Sequence, residues 1–363
     1  MRSVKMKIID SYILKKYLGT FVYCISLISV IIVVFDISEK IEDFMGKHAP
    51  LKAIVFNYYF NFIPYIVNLF SPLFTFIAVI FFTSQMASRG EIVAILSSGV
   101  SFRRLLYPYM LAASLIASLS LVLNHFIIPK ANKTRIHFED VYIKNPYHND
   151  NFNIHRQISP GTFMYVERYD NDENKGYKFS LEKISGQELH YKLLSDYIQW
   201  DSIHKKWQIH NYYIRKFSND GEKITSGIEL DTVLNFKPKD FGRQINKIET
   251  MSYSELNTAI KEEKMLGTNN VALYEIEKDK RTAFPFATFI LTLIGVSLAS
   301  RKVRGGIGLH IGIGLLISFS FILFMQVSTT FAASDLISPL LAVWIPNFLF
   351  GILALFLLRF APK

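Results

Sequence analysis

Residues 53–88 read AIVFNYYFNFIPYIVNLFSPLFTFIAVIFFTSQMAS and contain no Asp, Glu, Lys or Arg. Five further charge-free runs occur, at residues 17–34, 105–129, 282–300, 305–334 and 336–358. A helix needs about 20 mainly apolar residues to cross the hydrocarbon core of a bilayer. The six runs therefore predict six transmembrane helices, three on each side of a charged block formed by residues 130–281.

The net charge of +10 is distributed unevenly along the chain. Residues 130–281 carry 24 basic and 23 acidic residues, so the positive excess lies in the segments that flank the apolar runs. Because Lys and Arg accumulate in cytoplasmic loops, both termini and residues 85–104 are expected in the cytoplasm, and the charged block in a bacterial periplasm. The excess of basic residues thus indicates the orientation of the chain in the membrane and does not indicate nucleic-acid binding. The single cysteine, Cys24, excludes an intrachain disulfide.

The charged block has the pattern of an antiparallel β domain. Polar and apolar residues alternate in five segments, at residues 162–169, 177–184, 191–200, 207–217 and 227–236. A period of two is typical of half-buried strands, and residues 201–206 have the composition of a hairpin turn. We expect a membrane α-helical protein with six transmembrane helices and an inserted periplasmic antiparallel β domain, either a sandwich or a roll.

These patterns divide the chain into three predicted parts. Residues 1–129 form an N-terminal membrane half, with an interfacial helix, three transmembrane helices and a short connecting helix at about 88–101. Residues 130–281 form the periplasmic β domain. Residues 282–363 form a C-terminal membrane half with three more transmembrane helices.

A single acid, Glu91, lies among the basic residues of the segment 85–104. Residues 91–96 have the pattern of a short amphipathic helix, and Gly99 is placed to end it. A lone acid in a basic, membrane-proximal loop is suited to pair with a cation of an incoming protein. The alternative is a solvated charge beside Arg89.

Motifs of common catalytic and nucleotide-binding sites are absent from the sequence. It contains no G-x-x-x-x-G-K-[ST] loop, no H-E-x-x-H, no G-x-S-x-G and no pair of cysteines. We expect no cofactor or metal on this chain and no enzymatic activity, but a permease driven by a separate protein. Two alternatives remain open, namely a non-transporting membrane sensor or scaffold and a membrane-embedded enzyme that modifies envelope lipids.

Four segments resemble the lipopolysaccharide export permeases, the LptF/LptG family, also called the YjgP/YjgQ family. They are IIDSYILKKYLGTF (8–21), VFDISEKI (34–41), SRGEIVAILSSGVS (88–101) and FPFATFILTLIGVSLASRKVRGG (284–306). The layout of three helices, a β insert and three helices extends the resemblance to the whole chain, and the resemblance implies that the inserted periplasmic domain is an antiparallel β-jellyroll. Within the family, the chain is more similar to LptG than to LptF.

The resemblance implies a permease subunit of an ABC transporter in the bacterial inner membrane. Such a subunit would extract lipopolysaccharide from the membrane and pass it to a periplasmic bridge of β-jellyrolls, for outer membrane biogenesis. The implied partners are a dimer of an LptB-like ATPase, which uses the ATP, a second LptF/LptG-type permease and an LptC-like single-span protein.

The resemblance also implies roles for individual residues. Contacts of the coupling helix with the ATPase would involve Arg89, Glu91, Ile92, Ala94, Ile95 and Gly99. The phosphates of the lipid headgroup would lie near Lys40 and Arg135, for which a snorkelling lysine and an ordinary surface arginine are the alternatives. A lateral gate between the first and fifth transmembrane helices would include Phe35, Phe324 and Met325.

The first transmembrane helix departs from the family pattern. Some members carry another lysine within it, whereas this chain has no lysine between Lys16 and Lys40. Headgroup recognition through this helix is therefore expected to be weaker or differently placed. The basic residues of the second cytoplasmic loop, Arg301, Lys302 and Arg304, are expected mainly to fix the topology.

Overall fold

The computed structural model describes residues 7–143, 152–170, 173–186, 188–218, 221–234, 236–238, 245–266, 270–301 and 306–360. The chain divides into two compact units. A helical unit comprises Met1–Ile143, Glu249–Tyr253 and Glu275–Lys363. A β unit comprises Lys144–Ile248 and Ser254–Tyr274.

The helices of the chain are numbered in order. Before the sheet lie α1 (Ile8–Gly46), α2 (Leu51–Ser88), α3 (Glu91–Ser97) and α4 (Phe102–Tyr142). After it lie α5 (Tyr253–Leu266), α6 (Val271–Ala283), α7 (Phe286–Ala299), α8 (Gly306–Ala333) and α9 (Pro339–Arg359), and a 3-10 turn at Ile245–Thr250 precedes α5.

Among the described residues, five helices are long and apolar enough to cross a membrane, namely α1, α2, α4, α8 and α9. The pair α6 and α7 adds a sixth span if it is counted as one segment bent by 48°. The bend lies at Pro285, which caps α7 at its beginning. These helices confirm the predicted membrane class of the fold.

α1 is longer than its apolar run. The charge-free run ends before Asp36, but the helix continues to Gly46. The charged residues that follow Phe35 support helical structure, because Asp36 and Lys40 form an ion pair one turn apart, with Oδ1 and Nζ separated by 2.5 Å. The end of an apolar run therefore marks the end of a membrane span here, not of the helix.

α4 also continues beyond its predicted end at Pro129. Its backbone widens into a π-helical turn at Leu123–Ile127 and returns to α-helix at Ile128. Pro129 lies in the first turn after this transition, where a missing N–H group is tolerated. As a result, the compact helical unit includes residues 130–143, which the sequence analysis assigned to the β domain.

α2 lies at the centre of the helical unit. Most of its apolar window is buried within the protein, and it packs against α1, α4, α7 and α8. Two glycines permit the close approach of neighbouring helices: Gly295 of α7 lies against Phe76 and Val79, and Gly314 of α8 lies against Ile80.

The β unit contains one six-stranded antiparallel sheet. Its strands are β1 (Phe152–Ser159), β2 (Thr162–Asp170), β3 (Lys175–Ser185), β4 (Glu188–Asp201), β5 (Lys206–Ser218) and β6 (Gly221–Thr232), and they pair in sequence order. The inserted antiparallel domain is thus confirmed, including the turn between β4 and β5. β1 has no counterpart among the five predicted segments, and β6 begins and ends several residues before the predicted segment 227–236.

The buried face of the sheet changes within the strands. Near the beginning of β5, the side chains that face the core are those of Trp207 and Ile209. Further along the strand they are those of Tyr212 and Ile214, so the alternation shifts by one residue. The change occurs along a line that crosses the sheet through Asn153 of β1, Lys178 of β3 and Asn211 of β5. The backbone of these three residues is left-handed, with φ of 57°, 49° and 50°, respectively. The strand ladders are interrupted along the same line. We call this line the crease.

The core of the β unit is built around Trp207. Its side chain is fully buried, and its indole N–H donates a hydrogen bond of 2.9 Å to the carbonyl oxygen of Phe236. Its ring contacts those of Tyr169, Trp200 and Phe236 at centroid distances of 5.0–6.5 Å. This aromatic cluster holds the β4–β5 hairpin to the segment that follows β6.

We expect Trp207→Ala to destabilise the sheet by about 3–5 kcal/mol, because it removes a large buried side chain and leaves a cavity. Hydrogen exchange measured by mass spectrometry on the full chain in detergent should then accelerate in β4 and β5. The matched control is Tyr213→Ala, in the same strand beyond the crease, whose side chain is 58% exposed. Equal exchange in the two variants would contradict this assignment of the core.

Candidate functional site

The first candidate site is the short helix α3 with its flanking turns, which we call the Glu91 segment (residues 88–101). Two glycines bound α3, Gly90 with φ of 76° and Gly99 with φ of 87°. Residues with a side chain rarely adopt this left-handed conformation. The glycines therefore allow the chain to turn sharply out of α2, form α3 and turn again into α4.

α3 presents a different face to solvent from the one expected. Ile92 is only 1% exposed and packs in the same core cluster as Ile13 of α1 and Phe102 of α4, so it is not available to a partner. Ile95 is half-buried against the same cluster, whereas Ala94 is exposed. The large apolar side chain that α3 exposes is Val93, at 63%, which the sequence analysis did not select.

Glu91 is accessible and held by two neighbours. Its side chain is 31% exposed, and one carboxylate oxygen lies 3.9 Å from Nη1 of Arg89, which is itself exposed. The other oxygen accepts a hydrogen bond of 3.2 Å from the hydroxyl of Tyr12 in α1. Glu91 therefore begins α3 with its charge oriented and only weakly neutralised.

A stronger ion pair lies beside the Glu91 segment. Asp10 of α1 is almost fully buried, and its carboxylate accepts two hydrogen bonds from the guanidinium of Arg104 in α4, at 2.7 and 2.6 Å. The backbone N–H of Lys7 donates a third bond to Asp10, at 2.8 Å. Because one partner is buried, loss of the other would leave an unpaired charge, at a cost of about 3–5 kcal/mol.

The second candidate site surrounds Lys40 near the carboxyl end of α1. Its ammonium group contacts Asp36 and the hydroxyl of Tyr58, and it lies over the rings of Tyr58 and Phe62. The other carboxylate oxygen of Asp36 accepts a bond of 3.0 Å from Tyr59. Lys40 is thus 21% exposed, oriented and paired, and is not a freely solvated lysine.

Arg135 of α4 contacts the same aromatic ring as Lys40, that of Phe62. Its guanidinium is over the rings of Phe62 and Tyr65, at 5.8 and 5.0 Å, so Lys40 and Arg135 converge on Phe62. It pairs with Glu139 at 3.1 Å and approaches Glu249 at 4.0 Å.

Glu249 neutralises Arg135 only in part. Burial, together with the nearby carboxylate of Glu277, raises the pKa of Glu249. At a given pH Glu249 therefore holds its proton more readily than an exposed glutamate, and it balances less of the positive charge of Arg135.

The predicted gate residues are divided between surface and core. Phe35 of α1 is 73% exposed and Phe324 of α8 is 47% exposed, on helices that both pack against α2. Met325 is buried in the core of the helical unit instead. Of the predicted basic loop, Arg301 is exposed, whereas Lys302 and Arg304 lie outside the described residues.

The sequence carried partial signals for the residues that were missed. Asp36 lies four residues before Lys40, a spacing that brings their side chains together on a helix. Asp10 is the only acid near the basic amino terminus. Its pairing with Arg104 spans 94 positions, and no periodicity in the sequence reports such a contact.

We expect Ile92→Ala to destabilise the helical unit by about 2–5 kcal/mol, because it removes a buried branched side chain. The midpoint of thermal unfolding in detergent should fall clearly. Val93→Ala, the neighbouring substitution on the exposed face, should change stability by no more than about 0.5 kcal/mol. The reverse order of the two effects would place Ile92 on the surface of α3.

Comparison with known proteins assigns a family to this arrangement. The family model described as lipopolysaccharide export system permease LptF/LptG matches residues 11–359, nearly the whole chain. The match covers α1 with Lys40, the Glu91 segment, the sheet and the helices that follow it. A search of curated proteins returns no match. The chain belongs to the LptF/LptG family of lipopolysaccharide export permeases.

Proposed function

We propose that this chain is the permease subunit of an ABC transporter that extracts lipopolysaccharide from the inner membrane. A separate cytoplasmic ATPase supplies the energy, and the lipid passes to a periplasmic bridge of β-jellyrolls. The observation that carries the proposal is the family match over residues 11–359. An oriented, accessible acid at the start of a short helix between two long ones supports it further.

The proposed orientation places both termini and the Glu91 segment in the cytoplasm and the sheet in the periplasm. The distribution of charge supports it, since the excess of basic over acidic residues lies in the segments that flank the apolar runs, whereas basic and acidic residues nearly balance within the charged block. The partners in this arrangement are an LptB-like ATPase dimer, a second LptF/LptG-type permease and an LptC-like single-span protein. Of the two family branches, the LptG-like assignment is the one we propose.

The Glu91 segment is the proposed contact with the ATPase. Glu91 offers a carboxylate to a basic residue of the partner, and the exposed Val93 and Ala94 offer a small apolar surface beside it. Ile92 acts on the inner side, where it anchors α3 to α1 and α4. A push on α3 is then transmitted into the helical unit and not absorbed by the turns.

The Lys40 and Arg135 group is the proposed site for the lipid headgroup. Phosphates compete with carboxylates for the same cations, so an anionic headgroup would replace Asp36 beside Lys40 and Glu139 or Glu249 beside Arg135. The aromatic rings beneath both cations keep them oriented during this exchange.

The proposed transport step moves several acyl chains out of the bilayer. Each CH₂ group exposed to water costs about 0.8 kcal/mol, so a multi-chain lipid does not leave unaided. Closure of the ATPase pushes on the Glu91 segment, a cavity beside α1 and α8 narrows, and the lipid is expelled towards the β domain. The exposed apolar residues Phe35 and Phe324 are suited to contact acyl chains along this path.

We expect Glu91→Lys to uncouple ATP hydrolysis from lipid release, because a cation replaces the carboxylate that meets the basic residue of the ATPase. The measurement is lipopolysaccharide released per ATP hydrolysed, with the purified complex reconstituted in vesicles. Glu42→Lys, the same charge reversal at an exposed position near the other end of α1, is the control. Release at the wild-type ratio in Glu91→Lys would remove the coupling role.

We expect Lys40→Met to weaken photo-crosslinking of lipopolysaccharide to residues around Phe62, because the cation that attracts the phosphate is lost while the aliphatic bulk remains. A loss of about 1.5–3 kcal/mol, the range for a charge-assisted hydrogen bond, is expected. Lys52→Met removes an exposed lysine that precedes Tyr58 and Phe62 in α2, and it should leave crosslinking unchanged. Equal yields from both variants would argue against headgroup binding at Lys40.

A further inference from the structure

The beginning of α1 is fastened to the Glu91 segment and to the start of α4 at two points. One is the doubly hydrogen-bonded pair of Asp10 and Arg104. The other is the bond from the Tyr12 hydroxyl to Glu91. Arg104 lies three residues after the end of the Glu91 segment, and its backbone N–H donates a hydrogen bond of 3.3 Å to the side chain of Ser101, the last residue of that segment.

Apolar packing beneath these bonds joins the same three helices. Ile13 and Tyr17 of α1, Ile92 of α3 and Leu105 of α4 are buried in one cluster. A small cavity between Asp10, Ile95 and Arg104 leaves room for limited movement within it, at about 30 Å³. These contacts join the amino end of α1 both to α3 and to the beginning of α4.

α1 is also suited to carry such a movement over a long distance. It is one unbroken α-helix of 39 residues without proline, from Ile8 to Gly46, which corresponds to a length of about 58 Å. α2 contains Pro64, Pro72 and a π-helical turn, and α4 contains Pro108 and a π-helical turn. Such interruptions are where helices bend, so α1 is the stiffest connection within this half of the chain.

The far end of α1 carries Asp36 and Lys40. A shift or rotation at Asp10 therefore moves Lys40 relative to Tyr58 and Phe62, which belong to α2. Two ion pairs at opposite ends of one stiff helix thus join the candidate ATPase contact to the candidate headgroup site.

We propose that Asp10 and Arg104 are positioning residues that transmit movement of the Glu91 segment through α1 to the Lys40 site. The inference rests on the proposed function. Apolar side chains would hold two helices together equally well or better. The doubly hydrogen-bonded pair, in which Asp10 is buried and Arg104 is 29% exposed, differs from such packing because its two bonds fix the direction of the contact between α1 and α4. Neighbouring Arg103 is exposed, and it serves as the matched control.

The test uses the double variant Asp10→Asn/Arg104→Gln in the full chain, purified as a complex with its ATPase and reconstituted with lipopolysaccharide in phospholipid vesicles. Removing both charges together avoids an unpaired buried charge, so the chain is expected to fold. Three quantities are measured: the rate of ATP hydrolysis, the lipid released per ATP, and the response of a spin label to ATP with vanadate. The label is attached after Glu42→Cys in a Cys24→Ser background, at the exposed far end of α1.

The wild-type complex should show a nucleotide-dependent change in the label spectrum. The rate of ATP hydrolysis of the double variant should stay within about twofold of the wild-type rate, and the spectral change should be lost. The lipid released per ATP should fall about tenfold, which lies in the upper part of the range of effects that mutations within a coupling network have on coupling. Arg104→Lys, which keeps the charge beside Asp10 but loses the paired hydrogen bonds, should keep ATP hydrolysis and lose part of both signals. Arg103→Gln should behave as the wild type.

Two results would overturn the inference alone. One is a double variant that keeps the spectral change and the wild-type lipid yield per ATP. The other is a double variant in which hydrolysis, label response and release fall together with thermal stability, which would reduce the pair to a structural role. A wild-type chain that copurifies with no ATPase and releases no lipid would overturn the proposed function, and the inference with it.

Discussion

A bilayer excludes formal charge from its hydrocarbon core, and this constraint sets where the helical unit places its ion pairs. α1 has no charged residue between Lys16 and Asp36. Asp10 pairs with Arg104 of α4 before this stretch, and Asp36 pairs with Lys40 after it. The uncharged part of the helix packs against α2 on one side and exposes apolar side chains such as Val22 and Val30 on the other. Both candidate sites lie at the boundaries where charge becomes permitted.

Charge-free runs located the membrane helices because this exclusion is strict, but they did not give the helix ends. α1 extends past Phe35 because the Asp36–Lys40 pair supports helix in the interface. α4 extends past Pro129 because a π-helical turn places that residue in a first turn. Strand periodicity found four of the six strands closely. It could not report the crease, since the reversal of faces depends on backbone conformation at residues such as Lys178 and Asn211.

The candidate sites were predictable where one residue type stood out against its surroundings. Glu91 is the lone acid of a basic segment, and the structure places it on the accessible start of α3. Lys40 was selected by family resemblance, but its aromatic surroundings come from α2. Ile92 was assigned to the wrong face because a seven-residue helix has too few turns for its pattern to separate an outer surface from an inner one. The Asp10–Arg104 contact depends on how α1 and α4 cross, which only the packed structure reveals.

The crease constrains which changes in chain length the sheet tolerates. Inward positions in β5 are odd-numbered at Trp207 and Ile209 but even-numbered at Tyr212 and Ile214. Deletion of Asn211 would shift every later residue of β5 by one position. The side chains in the second half of β5 would then face the opposite side of the sheet from their partners in β4 and β6. The middle of each strand is therefore not expected to tolerate the insertion or deletion of a single residue, whereas a turn such as residues 202–205 is expected to tolerate it. Length variation among natural relatives of this domain should accumulate at the rims of the sheet and avoid a band across its centre.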